Sequence, residues 1–210
     1  MSSVIKCKKI INWLKQNGIA ILEVLTITKL NWIQKLNKSL ELAVSEEIRE
    51  EIMAGSESLT SASGPVTKAK WVQAAMERMD SLLDEKTRVQ VMERSSCDFE
   101  KRKREAKKIY ESSRNIDEFI EKLGNRCNQL ERKGDILYCT KIYGCDCGWV
   151  RATKTPISST FCHCAKGYII KYFEAVFQRP LKVELLQSVV NGDEVCQFAI
   201  HLDDELLGRG

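Results

Sequence analysis

Apolar residues recur along this chain in two rhythms, and the change of rhythm divides it. As far as about residue 130 they return at helical spacing. Ile10, Ile11, Trp13 and Leu14 do so first, then Leu25, Leu30, Trp32, Ile33, Leu36 and Leu40. Asn17-Gly18 reads as a break between helices. Residues 55–65 (GSESLTSASGP) hold four serines, two glycines and a proline, the composition of a linker. Beyond them Trp71, Ala74, Ala75, Met79, Leu82 and Leu83 form one stripe, which Val89 and Met92 continue. Asn115-Ile116-Asp117 then opens a short helix over 117–123, stopped by Gly124.

From residue 135 the period shortens. Segments 135–142 (DILYCTKI) and 147–152 (CGWVRA) read as strands. So do 181–190, with Val183, Leu185 and Val189 on one face, and 195–202, with Cys196, Phe198 and Ile200 on one face. Asn191-Gly192-Asp193 turns the last two into a hairpin. Between the strand pairs, 165–177 is a helix with Tyr168, Ile169, Tyr172, Phe173 and Val176 as its buried stripe, blocked beyond by Pro180.

The expected fold class is therefore α+β. A helical N-terminal half precedes a small antiparallel sheet with a helix packed across it, in the order strand–strand–helix–strand–strand. Three units are expected. Residues 1–54 are a helical appendage that packs on the second region or on a partner subunit, so a homodimer through these helices is one expectation. Residues 55–65 are a linker. Residues 66–210 are a cysteine-rich domain, with helices over 66–130 and the sheet and its helix over 135–202.

Composition narrows the function classes. With 210 residues at 43% hydrophobic, the chain can bury a core without staples. A net charge of +4 is too small for a nucleic-acid binder. The run Lys101-Arg102-Lys103-Arg104 is interleaved with Asp98, Glu100, Glu105 and Glu111, as on a solvated helix face, so no specific nucleic-acid partner is expected. The apolar run 19–30 is interrupted by Glu23, Thr26, Thr28 and Lys29, and is too short and too polar to span a bilayer. With no export signal read, the expectation is a cytoplasmic protein with no membrane partner and with reduced thiols.

The thiols carry the chemistry. Four of the nine cysteines form two Cys-x-Cys pairs, Cys145-Asp146-Cys147 and Cys162-His163-Cys164. Residues two apart share a face on a strand but diverge by about 200° on a helix, so each pair converges only if extended. The second pair precedes a helix, whose N-terminal field favours thiolate. Cys145, Cys147, Cys162 and Cys164 are thus expected to meet on one metal: zinc, or alternatively an iron–sulfur cluster. Cys139 is a candidate extra ligand, and Cys196 reads as core. The alternatives are inert buried cysteines, or a thiol redox switch in which the pairs become disulfides. His163 stays open between metal ligand, general base and surface residue, and His201 reads as exposed. Together with Trp149 and Tyr168, His163 is a candidate to line a small-molecule pocket. Cys7, Cys97 and Cys127 stand alone. A zinc with an open position could instead hydrolyse a small cyclic amide or thiazoline. There is no Ser-His-Asp order, Gly-rich phosphate loop or His-Glu-x-x-His.

These residues also carry a resemblance. Cys145 and Cys147, then Pro156-Ile157-Ser158, then Phe161 to Tyr168, then Gly192 to Leu202 form an ordered signature. Over 135–202 the chain resembles a bacterial and archaeal cysteine-rich family related to L-2-amino-thiazoline-4-carboxylic acid hydrolase-like proteins, and more distantly the 4-vinyl reductase domain. The helices of 66–130 fit more loosely, and residues 1–65 are not covered. The resemblance implies a small-molecule ligand, with a metal on the cysteines and histidines as a further expectation. A fold hosts many activities, so the hydrolase name does not transfer with it.

Overall fold

The computed structural model describes residues 31–208, apart from Ser61 and the segments 125–128, 142–146 and 153–155. Its first element is α1 (Asn31–Glu41), followed by α2 (Glu46–Met53). Trp32, Ile33, Leu36 and Leu40 are buried at helical spacing along α1, and Ile52 and Met53 at the end of α2. Arg78 from the next helix donates to the carbonyls of Ile52 (2.9 Å) and Ala54 (3.1 Å), which α2 leaves without intrahelical partners. Gly55 follows at φ +82°, with the Trp71 ring 3.5 Å from where a side chain would begin. A short 3-10 turn (Ser56–Ser58) and buried Leu59 lead into α3 (Pro65–Leu82). Proline at its first position loses nothing, because that N–H has no intrahelical acceptor.

Helix α4 (Glu85–Arg94) is capped by Asp84, which accepts from Thr87 N at 2.9 Å. Helix α5 (Glu100–Glu111) carries the basic run. Helix α6 (Ile116–Leu123) is capped by Asn115 and ends at Gly124, φ +66°. In the basic run of α5 Lys101 is exposed and pairs with Glu105, whereas Lys103 is largely buried against Asp98 and Glu100.

Four strands form one antiparallel sheet in the order β1-β2-β4-β3: β1 (Gln129–Lys133), β2 (Ile136–Lys141), β3 (Val183–Gln187) and β4 (Cys196–His201). Between β2 and β3 lie α7 (Gly148–Ala152), a 3-10 turn (Ser159–Cys162) and α8 (His163–Phe177). Register pairs Leu137 with Ile200 and Cys139 with Phe198, so the apolar sets of the two central strands share one face. Helix α8 covers that face with Ile169, Phe173 and Val176. A second core lies among the helices, where Trp32, Leu36, Leu40 and Ile52 meet Trp71, Met76, Met79, Met92 and Phe161.

The α+β class and the strand–strand–helix–strand–strand order hold, but three assignments change. The segment 147–152 is helix α7, not a strand; its half-buried Val150 packs on the helical core. The missing strand is β1, within residues read as the end of the helical region. Gln129, Glu131 and Lys133 on it are exposed, so its apolar alternation reduces to one half-buried residue, Leu130. The two-residue turn Gly134-Asp135, with Gly134 at φ +63°, closes it onto β2. Finally, residues 31–53 are no appendage, because their apolar stripe completes the core of α3 and α4. Residues 1–30 lie outside the described residues.

Candidate functional site

Two features of chemical interest lie on one face of α8. The first is a thiol pair that the spacing of the cysteines did not suggest. Cys97 sits in the connection between α4 and α5 and is exposed. Cys164, in the first turn of α8, is the largest influence on its thiol. Cys164 in turn accepts the indole N–H of Trp32 at 3.3 Å.

The connection holding Cys97 is pinned from three sides. Lys35 Nζ donates to the Ser96 carbonyl at 3.3 Å and Lys171 Nζ to that of Arg94 at 2.8 Å. Ser39 and Ser95 hydroxyls both donate to the Val91 carbonyl. Gly167 lets α8 approach so closely that a Cβ there would stand 2.2 Å from the Glu93 carbonyl oxygen. Glycine is required here by close approach rather than by backbone conformation.

The electrostatics divide the pair. The Cys97 thiol falls from 9.0 to about 6, first because Cys164 hydrogen-bonds its thiolate and then through the nearby ammoniums of Lys35 and Lys171; burial and Asp98 oppose. Asp98 is itself engaged by Lys103 at 2.6 Å. Cys164 moves the other way, well above the ordinary thiol value, because it holds its proton towards Cys97 and is buried.

The second feature is a pocket of about 310 Å³ between α5 and α8, lined by Arg102 and Ile109, by Tyr168, Tyr172 and Phe173, and by Leu130 of β1, among others. Tyr168 stacks edge-on to Phe99, centroids 5.6 Å apart, and Arg102 lies 5.2 Å over the same Phe99 ring. Burial raises the Tyr168 phenol above its usual value, and the Arg102 guanidinium opposes the shift.

Of the expected site residues, Cys145 lies outside the described residues, as does the side chain of Trp149. Cys147 immediately precedes α7 and its carbonyl accepts from Arg151 N at 3.1 Å; like Cys164, it packs against the helical core. Residues 162–164 are not extended. Cys162 ends a 3-10 turn and Cys164 is helical, so the two sulfurs diverge. Cys162 is buried against Ser188, Sγ to Oγ 2.9 Å, whereas Cys164 faces Trp32 and Cys97. Among the described residues no group of three or more His, Cys, Asp or Glu side chains could hold a metal ion.

His163 leaves the cysteines altogether. It faces the charges of Lys166, Glu93, Glu85 and Arg88, and its pKa is lowered, chiefly by burial. Its Nδ1 is buried with no hydrogen-bond partner among the described residues. Tyr168 is the one expected ligand residue that lines the pocket. Cys139 and Cys196 are buried in the sheet core, and His201 bonds Glu184 Oε1 at 3.1 Å. Cys97 had no motif around it. Only the basic and acidic residues flanking it hinted at an unusual setting.

A family model covers both features. The chain belongs to a family of unknown function, DUF6144. The match spans residues 27–207 and so takes in α1 and α2 with the sheet. No curated protein and no solved structure matches the chain significantly. The DUF6144 match brings no activity with it and no link to thiazoline hydrolase-like or 4-vinyl reductase proteins. No described helix is long and apolar enough to cross a membrane.

Proposed function

We propose that this DUF6144 protein binds a small molecule in the pocket between α5 and α8, and that the ligand has a planar apolar body and one anionic group. The observation that carries this is the pocket lining. Tyr172, Phe173, Ile109 and Leu130 offer apolar walls; two charged residues share the lining, Glu105, which is paired with Lys101 at 3.9 Å, and Arg102, which supplies the cation. At about 310 Å³ the space suits a small ligand. Ligand sites are mostly apolar with a few placed polar groups, and this one follows that rule. Guanidinium suits a carboxylate because its fork can meet both oxygens.

A metal is not needed for this reading. The helical geometry at Cys162–Cys164 argues against these two sulfurs sharing one ion, and among the described residues Cys147 and Cys164 pack against the same helical core. Zinc or an iron–sulfur cluster on the cysteine pairs therefore remains a separate proposal, decided by elemental analysis of the purified protein. Among the described lining residues Glu105 is the one carboxylate and no histidine accompanies it, so this pocket offers the hydrolase reading little support.

The binding test uses ligand-observed NMR with 3-phenylpropionate and its neutral analogue 3-phenylpropanol. The acid should bind saturably and more tightly than the alcohol. Tyr172→Ala should weaken both, and Arg102→Gln should abolish the preference for the acid. Absence of saturable binding by either compound at millimolar concentration, or a preference for the alcohol, would count against the proposal.

A further inference from the structure

We infer that the pocket between α5 and α8 takes a free amino acid with an aromatic side chain, its carboxylate on Arg102 and its ammonium on Glu105. This rests on the pocket being an acid-binding site, and adds to it a second charge of opposite sign. The observation that carries it is the placing of the two charged residues in the lining. Arg102 and Glu105 stand three residues apart on α5, and both line the space. Residues so spaced on a helix are surface neighbours, with Cβ atoms about 5–6 Å apart. The α5 wall therefore presents a cation and an anion side by side.

That wall selects among ligands. A purely anionic ligand gains from Arg102 but brings its charge towards the Glu105 carboxylate, and a purely cationic one is repelled by Arg102. A free amino acid answers both. Its N–Cα and Cα–C bonds are about 1.46 and 1.52 Å, so the ammonium nitrogen and the carboxylate carbon lie about 2.5 Å apart on one carbon. A residue at the N-terminus of a peptide keeps only the ammonium, and one at the C-terminus only the carboxylate. Glu105 can receive the ammonium because its ion pair, with Lys101 at 3.9 Å, joins side chains that are 52% and 84% exposed. Exposed pairs of this kind contribute little, so an incoming cation can take the place of Lys101.

The remaining walls suit an aromatic side chain. Tyr168, Tyr172 and Phe173 all line the pocket. Their rings form a row, with centroids 5.8 Å apart for the first pair and 5.0 Å for the second. Aromatic rings meet offset or edge-on at centroid separations of about 4.5–7 Å, so a ligand ring can join this row. The volume of about 310 Å³ is at the small end of ligand pockets, which run from about 300 to 1,000 Å³, and matches one amino acid better than a nucleotide or a peptide.

The test uses ligand-observed NMR on the full chain at pH 7 with three probes of similar shape. These are phenylalanine, 3-phenylpropionate, which lacks the ammonium, and phenylalaninamide, which lacks the carboxylate. Phenylalanine should displace 3-phenylpropionate and bind about two- to fivefold more tightly, the gain of one partly exposed ion pair. Phenylalaninamide should bind more weakly than phenylalanine. Glu105→Gln should bring phenylalanine down to the level of 3-phenylpropionate. Lys101→Gln removes only the outer partner of Glu105 and should keep phenylalanine the tighter ligand. Both positions are exposed, so neither change removes packing from the core. The amino-acid assignment falls if phenylalanine binds no more tightly than 3-phenylpropionate, if it binds without displacing it, or if Glu105→Gln leaves its advantage intact. In each of those cases 3-phenylpropionate still binds and the acid-binding reading of the pocket survives. Absence of 3-phenylpropionate binding removes both.

Discussion

The indole N–H of Trp32 donates to Sγ of Cys164 across 3.3 Å, joining residues 132 positions apart in sequence. One belongs to the first described helix and the other to the cysteine-rich half of the chain. The bond is a local sign of a larger fact: the helical core is built jointly from α1, α2, α3 and α4, and Trp32 also meets Phe161 edge-on at 5.6 Å. The two halves are therefore one folding problem on this side of the molecule.

Removing residues 1–55 should accordingly unfold the helical half. Leu36, Leu40 and Ile52 are fully buried. Burying each such side chain contributes roughly 1.5–3 kcal/mol, so three together supply about 5–9 kcal/mol, against a total stability of about 5–15 kcal/mol for an ordinary domain. The truncated chain should lose near-ultraviolet circular dichroism and aggregate or be rapidly proteolysed. A cooperative unfolding transition close to that of the full chain would show that α1 and α2 are dispensable after all.

Gly167→Ala should be far more damaging than a glycine-to-alanine change ordinarily is in a helix, where alanine is the better former. The added Cβ would meet backbone, 2.2 Å from the Glu93 oxygen, and backbone cannot swing aside as a flexible side chain can. Forcing α4 and α8 apart should cost about 1–3 kcal/mol, in line with other overpacked sites. It should also draw Cys97 away from Cys164 and slow its alkylation. Gly148→Ala, with open space around it, is the control and should change the denaturation midpoint little.

The charges around Cys97 predict the direction of a pH effect. Alkylation by neutral iodoacetamide should be half-maximal near pH 6 in the native chain, where the thiolate forms. Lys171→Met removes a positive charge that stabilises the thiolate, so the midpoint should move up towards the ordinary thiol range; Lys35→Met should act in the same direction. Asp98→Asn removes an opposing negative charge and should move it down. A rise on Asp98→Asn would show that the surrounding charges do not govern this thiol.

What was legible in the sequence follows from where the signal is local. The helix α8 and strand β4 announce themselves because each has one buried face with a clean period: Ile169, Phe173 and Val176 on the one, Cys196, Phe198 and Ile200 on the other. Asn115 and Gly124 mark α6 because caps are local chemistry. Strand β1 was hidden because it lies at the sheet edge, with charged residues on its exposed face. Segment 147–152 is too short for its period to decide, and its packing on α3 settles it as helix. The Cys-x-Cys argument was sound about geometry but assumed the wrong backbone at 162–164. Cys97 meets Cys164 only through the docking of α4 on α8, a contact between residues 67 apart that no spacing rule encodes.

The two buried cysteines next to these features separate the readings most cheaply. Cys162 Sγ lies 2.9 Å from Ser188 Oγ, so serine at 162 keeps a hydroxyl-to-hydroxyl hydrogen bond in place of the thiol's. Such an exchange should cost about 1 kcal/mol, of the order of one hydrogen bond's net worth. Cys196 faces the sheet core among Phe198, Leu137 and Val183. A serine hydroxyl there would lie among these apolar side chains, with buried Lys141 as its cross-strand neighbour, and burying it should cost about 1–3 kcal/mol. Cys196→Ser should therefore lower the denaturation midpoint more than Cys162→Ser, with neither changing the metal content. If Cys162 were a metal ligand the order would invert, because metal binding is coupled to folding and its loss would remove several kcal/mol together with the ion. Paired denaturation curves with elemental analysis of both variants decide which order holds.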